Sequence, residues 1–346
     1  MAKQPFEDVG SEVRFDDFTG RLVIVARGRR KRPHFYREDL KEEDKGCPFC
    51  PGHEDETPKA SLLYILEGGR SILKTFDENG PRRSDWSVRV FPNMFPALNT
   101  EVKSSRPGSL NSYGYHEVVV ENPDHFWRYE TADPRSIELS LLALIDRGRF
   151  MESDQNVRHV AIFKNQGREA GASIIHPHYQ IIGGSFIPPL VSRELESFSR
   201  IIRIHGKCYF CELEAKAQVS GRLVSASEYF SVITPFTSIF PYECWIVPKH
   251  HASSFLESGE EEVRALAIIL KQLFSSYKAV FGNFSFNMVF HSRPVGNEDF
   301  HWHIEIYPRV VIHAGYELGS GAYINVVGPE EAALQLRQAL SASTNF

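Results

Sequence analysis

The sequence predicts an α+β protein built from two tandem modules, each an antiparallel sheet with helices packed on one face. Three observations carry that reading. First, the motifs of the first half recur in the same order in the second: a Cys-x-x-Cys pair, a β-rich run closed by proline, a strand ending in proline with a histidine just beyond, and a His-x-His stretch. An ordered recurrence of this kind marks an internal repeat. Second, each half holds one long stretch with apolar residues at helical spacing, Ile137, Leu141, Leu144 and Ile145 in the first and Val263, Leu266, Ile269, Leu270 and Leu273 in the second. That is the stripe of a helix lying on a sheet. Third, the other apolar runs are short, rich in β-branched and aromatic residues, and bounded by proline or glycine, as strands are. The pattern restarts after Pro188-Pro189 and a helix-like stretch, which divides the chain into 1–195 and 196–346.

Taken in order, residues up to about Phe15 read as a polar arm, and residues 21–26 as a strand. A basic turn follows, with Arg27, Arg29, Arg30, Lys31 and Arg32 before Pro33. A solvated turn is the usual outcome for such a run, although a guanidinium fork also suits phosphate oxygens. Cys47-Pro48-Phe49-Cys50 comes next. The strand at 86–91 runs into the turn Pro92-Asn93-Met94-Phe95-Pro96, and the strand around Val118-Val119-Val120 ends at Pro123 with His125 just past it. His116, inside that strand, reads as a hydrogen-bonded structural residue. Residues 136–151 form the first amphipathic helix, and the strand 159–163 enters the loop Asn165-Gln166-Gly167. In the second half, Cys208-Tyr209-Phe210-Cys211, the strand before Pro235, the strand before Pro248, the helix 260–281, the strand 284–291 and His301-Trp302-His303 repeat the series. By composition the stretch 315–325 is a glycine-rich turn, and 330–340 a closing helix.

Composition bounds the function. With 346 residues, 42% of them apolar, the chain can bury a substantial core. A net charge of −5 argues against non-specific nucleic-acid binding as the main task. No apolar run approaches the length of a membrane span, and the N-terminus has no signal-peptide apolar core, so the cytoplasm is the expected location. Five cysteines do not make a disulfide scaffold at this length. Four of them form the two Cys-x-x-Cys pairs, which read as metal knuckles in a reducing compartment. A redox reading needs the motif to open a helix, and Pro51-Gly52-His53 argues against helix initiation there. Cys244 reads as a buried strand residue.

The chemistry centres on Ser173-Ile174-Ile175-His176-Pro177-His178-Tyr179-Gln180. In an extended chain His176, His178 and Gln180 share a face. Pro177 places them near a strand end or edge. A neutral imidazole is a nucleophile or a metal ligand, and a carboxamide donates to a phosphate oxygen without adding charge. A half-buried strand with solvent-facing polar residues is the competing reading. Gly167 and Gly171, just upstream, let backbone amides approach an anion.

Together, Phe163-Lys164-Asn165-Gln166-Gly167, Ala170-Gly171-Ala172-Ser173 and His176-Pro177-His178-Tyr179-Gln180 resemble the signature of galactose-1-phosphate uridylyltransferases, the transferase branch of the histidine-triad superfamily. The resemblance runs from about Arg29 to Asn325. It implies that each half is a histidine-triad-like module and that His178 attacks an α-phosphorus in a ping-pong reaction through a covalent nucleotidyl-histidine. A backbone carbonyl at the other ring nitrogen would hold the reactive tautomer. Asn165 and Ser173 match phosphate-contacting positions, and Gln180, which stands where the hydrolase branch has a third histidine, would help them hold the phosphate charge. Arg29 and Arg32 match arginines that approach substrate phosphates, and Asn93 and Phe95 match the nucleoside pocket. Met94 departs from the acidic residue often found there. Tyr316 and Glu317 match a segment that contacts the sugar, often across a homodimer. The metal sets implied are Cys47, Cys50, His125 and His176, then Cys208, Cys211, His251 and His301, with His250 the rival of His251. Both are closed Cys₂His₂ sets suited to structural Zn2+, and iron stays open at the second. Glu305 replaces the glutamine in the second half, and a carboxylate repels phosphate, so one competent nucleophile per chain is expected.

The substrates this implies are a nucleotide sugar and a sugar 1-phosphate: UDP-glucose with galactose 1-phosphate first, an ADP-sugar phosphorylase next. The continuation Gly319-Ser320-Gly321-Ala322-Tyr323-Ile324-Asn325 resembles the branch that includes plant ADP-glucose phosphorylase. A diadenosine-tetraphosphate phosphorylase is more distant. A zinc-stabilised nucleotide-binding sensor without turnover is the reading from another class.

Overall fold

The structure is a computed structural model, and it describes residues 11–27, 29, 46–68, 71–78, 80–101 and 112–343. In chain order the first half contains β1 (Glu12–Asp16), β2 (Arg21–Val25), β3 (Leu62–Glu67), β4 (Ser71–Thr75), β5 (Val88–Pro92), β6 (Gly114–Val120), α1 (Pro134–Glu152), β7 (His159–Gln166) and β8 (His178–Gly184). It is followed by α2 (Pro189–His205), α3 (Leu213–Val219), β9 (Leu223–Ala226), β10 (Phe230–Ile233), β11 (Cys244–Pro248), α4 (Glu260–Phe281), β12 (Phe286–His291) and β13 (His303–Pro308). The chain ends with α5 (Gly315–Ser320), β14 (Ala322–Asn325) and α6 (Pro329–Ser343).

The two halves share one sheet. Among the described residues its 11 strands run β4-β3-β5-β6-β8-β7-β12-β13-β11-β10-β9. The order β5-β6-β8-β7 is mirrored as β10-β11-β13-β12, so the repeat is related by a pseudo-twofold through the junction of β7 and β12. That junction is antiparallel, from Phe286 opposite Gln166 to Phe290 opposite Ile162. The division expected at residue 195 falls within α2.

Helices α1 and α4 lie side by side on one face. Asp133 caps α1 by accepting from the Arg135 amide at 2.9 Å, and Pro134 follows at a position where no amide donor is needed. Ile137, Leu141 and Leu144 of α1 and Val263, Leu270 and Leu273 of α4 are buried with Tyr179, Ile181, Ile304 and Ile306 of the sheet. Full burial of each such aliphatic side chain contributes about 1.5–3 kcal/mol. On the opposite face Phe198 of α2, Leu213 of α3, Phe210, Trp245 and Val247 form a second cluster. Cys47, Phe49, Trp86, Phe91, Val118 and Val120 form a third. Helices therefore cover one face throughout and, in the second half, part of the other.

Two stretches differ from the sequence reading. The supposed N-terminal arm ends in β1, which forms a hairpin with β2. The glycine-rich tail is the short helix α5 followed by β14, and β14 lies parallel to β2 with Ala322 opposite Leu22. These strands make a separate 3-stranded sheet. The first is a local hairpin, with Glu12 opposite Val25; the second rests on a pairing between residues about 300 positions apart, which local composition does not encode. Among the described residues no helix is long and apolar enough to cross a membrane.

Candidate active site and metal centres

Strand β8 begins at His178, two residues later than the extended reading placed it. Its alternation then sets the site. Tyr179 and Ile181 enter the helix-covered core. His178 and Gln180 face the other side, opposite Val120 and Val118 of β6 respectively. His176 lies before the strand, in a bend, and its ring turns to the Cys-x-x-Cys loop.

His178 is held in one tautomer. Its Nδ1 lies 2.8 Å from the carbonyl oxygen of His176. A carbonyl only accepts, so Nδ1 carries the hydrogen and Nε2 keeps its lone pair. Burial pushes the His178 pKa down to about 4, which leaves the ring neutral and nucleophilic at ordinary pH. Phe49, inside the Cys-x-x-Cys loop, packs edge-on against the rings of His178 and His176, with centroids 5.2 and 6.3 Å away. The nucleophile candidate is therefore clamped by the same loop that carries the cysteines.

Two carboxamides stand on the same face. Gln180 Oε1 lies 2.8 Å from His116 Nε2. Asn165 is on β7, whose Phe163 pairs with Gln180. Its Oδ1 accepts from Asn287 Nδ2 at 2.7 Å, and Asn287 also donates to the Ala170 carbonyl at 2.9 Å. Each amide oxygen is thus engaged, which turns each NH2 group outward as a donor. Asn287 comes from β12 in the second half and pairs in register with Asn165. Sequence reasoning missed it, since the two are 122 residues apart and carry no shared local signal. Gly167, with φ of 84°, begins the loop before the histidines, and an added Cβ there would overlap Ser285. Only glycine fits that close approach.

The other expected contacts are spread more widely. Ser173 is exposed in the bend before His176. Asn93 and Phe95 lie in the turn after β5, where Asn93 Oδ1 accepts from the Phe95 amide at 2.9 Å. Phe95 is 84% exposed, so its ring is available for stacking. Arg29 is exposed beyond β2, and Arg32 lies outside the described residues. Tyr316 and Glu317 are on α5, which packs against β14, and Glu317 caps its own helix by accepting from the Ala314 amide at 2.9 Å. They stand with the small sheet, not with the His178 strand.

Both metal sets assemble. Cys47, Cys50, His125 and His176 bring their donor atoms within 4.8 Å of one another, as do Cys208, Cys211, His251 and His301. The geometry selects His251 over His250. In the first set, Cys50 Sγ is 3.4 Å from His125 Nδ1 and 3.5 Å from His176 Nδ1, and Cys47 Sγ is 3.8 Å from His176 Nδ1. In the second, Sγ to Nδ1 separations are 3.4, 3.6 and 3.6 Å. A tetrahedral ion bound through sulfur and imidazole sets neighbouring donors about 3.3–3.8 Å apart, so both groups fit. The tautomers fit as well. His176 Nε2 donates to the Asn122 carbonyl at 2.8 Å and His301 Nε2 to the Pro248 carbonyl at 3.0 Å, leaving both Nδ1 lone pairs aimed at the sulfurs.

The second half has a counterpart of the His178 strand that is wired differently. His303 repeats the tautomer device, with Nδ1 3.2 Å from the His301 carbonyl. Its Nε2, however, lies 3.6 Å from Glu305. Glu305 receives Arg21 Nη2 at 2.7 Å, while Arg21 Nη1 reaches Glu243 at 2.7 Å. His291 bridges Glu194 at 3.0 Å and Glu305 at 3.6 Å. Burial alone would lower the His291 pKa, but the two carboxylates outweigh it and raise it to about 9. Burial would likewise raise the Glu305 carboxyl, but Arg21 and His291 hold it well below the usual range. Glu194, His291, His303 and Glu305 also converge closely enough to hold an ion. Their charges are already met by Arg21 and a protonated His291.

A buried imidazole with Nδ1 committed to a carbonyl and Nε2 left with its lone pair, on the same sheet face as Gln180 and Asn165 and beside a cluster of paired cysteines and histidines, is an arrangement suited to group transfer through a histidine. Residues 161–342 match the family described as "Galactose-1-phosphate uridyl transferase, C-terminal domain". The chain is 31% identical to galactose-1-phosphate uridylyltransferase of Thermotoga maritima, covering 94% of this chain and 98% of that one. It is 30% identical to ADP-glucose phosphorylase of Arabidopsis thaliana, covering 96% and 94%. The crystal structure of an Arabidopsis thaliana ADP-glucose phosphorylase with bound ADP-glucose superposes with a TM-score of 0.80 at 29% identity, covering 95% of this chain and 99% of that one. The chain belongs to the galactose-1-phosphate uridylyltransferase family, and it is a hexose-1-phosphate nucleotidylyltransferase.

Proposed function

We propose that the chain moves a nucleoside monophosphate from a nucleotide sugar to a sugar 1-phosphate by a ping-pong reaction on His178. In the first step His178 Nε2 forms a bond to the α-phosphorus while the bond from that phosphorus to the bridging oxygen breaks, and hexose 1-phosphate leaves with the electron pair. In the second step an oxygen of the incoming sugar 1-phosphate attacks the same phosphorus and the P–N bond returns its pair to Nε2. The observation that carries this reading is the hydrogen bond from His178 Nδ1 to the His176 carbonyl. It fixes the ring so that Nε2 is the reactive atom throughout. The amide NH2 groups of Gln180 and Asn165, with Ser173, hold the negative charge on the non-bridging oxygens. Asn93 and Phe95 take the nucleoside, and Arg29 and Arg32 approach phosphates. Tyr316 and Glu317 reach the sugar from the partner subunit of a cytoplasmic homodimer, in keeping with their place on the small sheet.

In this reading residues 1–195 form the catalytic module and 196–346 its structural partner. Each carries one Zn2+, held by Cys47, Cys50, His125 and His176 or by Cys208, Cys211, His251 and His301. The ion has no open position and supplies structure: at the first site it holds His176, whose carbonyl orients His178, and the Phe49 loop.

UDP-glucose and galactose 1-phosphate are the proposed substrates. A second reading, ADP-glucose with inorganic phosphate as acceptor, is favoured by Met94 in place of an acidic residue and by the similarity to ADP-glucose phosphorylase. Intact mass after incubation with UDP-glucose or ADP-glucose decides between them: a uridylyl or an adenylyl mass gain names the nucleotide. No gain with either, on protein carrying its full metal complement, refutes the covalent mechanism and leaves a nucleotide-binding sensor.

A further inference from the structure

His116 lies on β6, on the face shared with Gln180, and its imidazole links two parts of the site. The Ala97 backbone amide donates to Nδ1 at 3.0 Å. A backbone N–H cannot accept, so Nδ1 is bare and Nε2 carries the hydrogen. That hydrogen is donated to Gln180 Oε1 at 2.8 Å. The His116 carbonyl in turn accepts from the Asn93 amide at 2.8 Å. The Asn93 side-chain nitrogen lies 3.2 Å from Nε2. Since Asn93 Oδ1 already accepts from Phe95, both nitrogens carry hydrogens and that approach is a packing contact. Burial holds the His116 pKa below the ordinary histidine range, which keeps Nδ1 free to accept.

The consequence for Gln180 is directional. A terminal amide is broad about its last torsion and flips easily. With Oε1 tied to His116 the NH2 end must face the other way, toward the space in front of His178. We propose that His116 is a positioning residue for nucleotidyl transfer, setting the amide of Gln180 for the phosphate with one ring nitrogen and fixing the 93–97 nucleoside turn with the other. This rests on the reading of Gln180 as a phosphate contact.

The two nitrogens can be separated by substitution. Asparagine places an acceptor near Nδ1 and removes the donor at Nε2, while glutamine places a donor near Nε2 and removes the Nδ1 acceptor. Single-turnover formation of the His178 adduct from the nucleotide sugar that labels the native chain gives a rate constant at saturation and an apparent Kd. His116→Asn should lower the rate constant about 10–100-fold with little change in Kd, the usual scale for a misplaced catalytic contact. His116→Gln should keep the rate constant within about threefold and weaken Kd about tenfold, as expected for a disordered binding turn. In a Gln180→Ala background His116→Asn should add no more than about a twofold loss, since the two act as one unit. The proposal is overturned if both variants shift only the melting temperature, or if His116→Asn slows the Gln180→Ala chain as much as the native one. If Gln180→Ala alone leaves the rate constant unchanged, the phosphate role of Gln180 fails, and the proposal with it. If the native chain forms no adduct, the parent mechanism is what has failed.

Discussion

The two halves of the molecule place the same elements around opposite electrostatics. In the first, a His-x-His stretch leaves one imidazole neutral, with two amide donors held beside it by their oxygens. In the second, the equivalent imidazole faces a carboxylate that Arg21 and His291 neutralise. The strand order, the tautomer-fixing carbonyl and the cluster of two cysteines and two histidines are all retained. Where the first half has Gln180, hydrogen-bonded to His116, the second has Glu305, sealed in an ion-pair network with Arg21 and His291. An amide can donate to an anion, whereas a buried carboxylate must be paired with cations and so excludes one.

The sharpest break of that comparison is removal of each imidazole. His178→Ala should reduce accumulation of labelled nucleotide on denatured protein by more than about 10³-fold, the scale expected for loss of a covalent nucleophile. His303→Gln should leave it within about threefold, because His303 has no anion site to serve. Equal losses in both, at equal metal content, would mean that the halves share the chemistry.

Exchanging the distinguishing residue comes next. Gln180→Glu writes the second half's charge into the first, and adduct formation should fall about 10²–10³-fold, as when one donor to a developing oxyanion is removed. Glu305→Gln should not create a second labelled site. It leaves Arg21 and His291 short of a counter-charge, so a lower melting temperature is expected, from a loss of about 3–5 kcal/mol for a broken buried pair. A second labelled histidine by peptide mapping would show that Glu305 alone blocks the second half.

The two cysteine–histidine clusters make a smaller contrast. Cys50→Ser and Cys211→Ser should each lose metal by elemental analysis and lower the melting temperature. Only the first should also slow adduct formation, by about 10–100-fold, because in the proposed mechanism only its group includes the residue, His176, whose carbonyl orients the nucleophile. Equal slowing by both would remove the link from Cys50 through His176 to His178.

Much of this contrast was legible in the chain. The Cys-x-x-Cys pairs, the proline-histidine ends and the amphipathic helices are local patterns, and they located both donor sets and the repeat. The resemblance put His251 ahead of its rival His250, and it is His251 whose donor atom stands in the second group; local pattern alone does not separate adjacent residues, which differ in where the backbone turns them. The residues that set polarity were not legible. Arg21 meets Glu305 across 284 positions, and Asn287 meets Asn165 through the β7–β12 junction. His116 was visible as a strand histidine, but its role depends on what each ring nitrogen touches. The exchange of Gln180 for Glu305 was visible in the sequence, but the partners recruited around each come largely through long-range pairing, which periodicity does not report.

The smallest expected effect is in pH, and its sign follows from the pairing. His291 has an ordinary pKa of 6.5 and is raised to about 9 in the folded chain, with Glu194 and Glu305 overcoming burial. Below 6.5 the ring is protonated in both folded and unfolded chains, and the ion pairs stabilise fully. Between 6.5 and 9 only the folded chain keeps the proton, so stability falls as pH rises, and above 9 the contribution is gone. The whole effect is at most about 3 kcal/mol. Urea titrations of the native chain from pH 6 to pH 9.5 should therefore show a steeper decline than those of His291→Gln, which keeps a donor to Glu194 but cannot titrate. Parallel declines would mean that His291 is neutral in the folded chain, and the second half would then hold an uncompensated carboxylate for which a bound cation is the remaining partner.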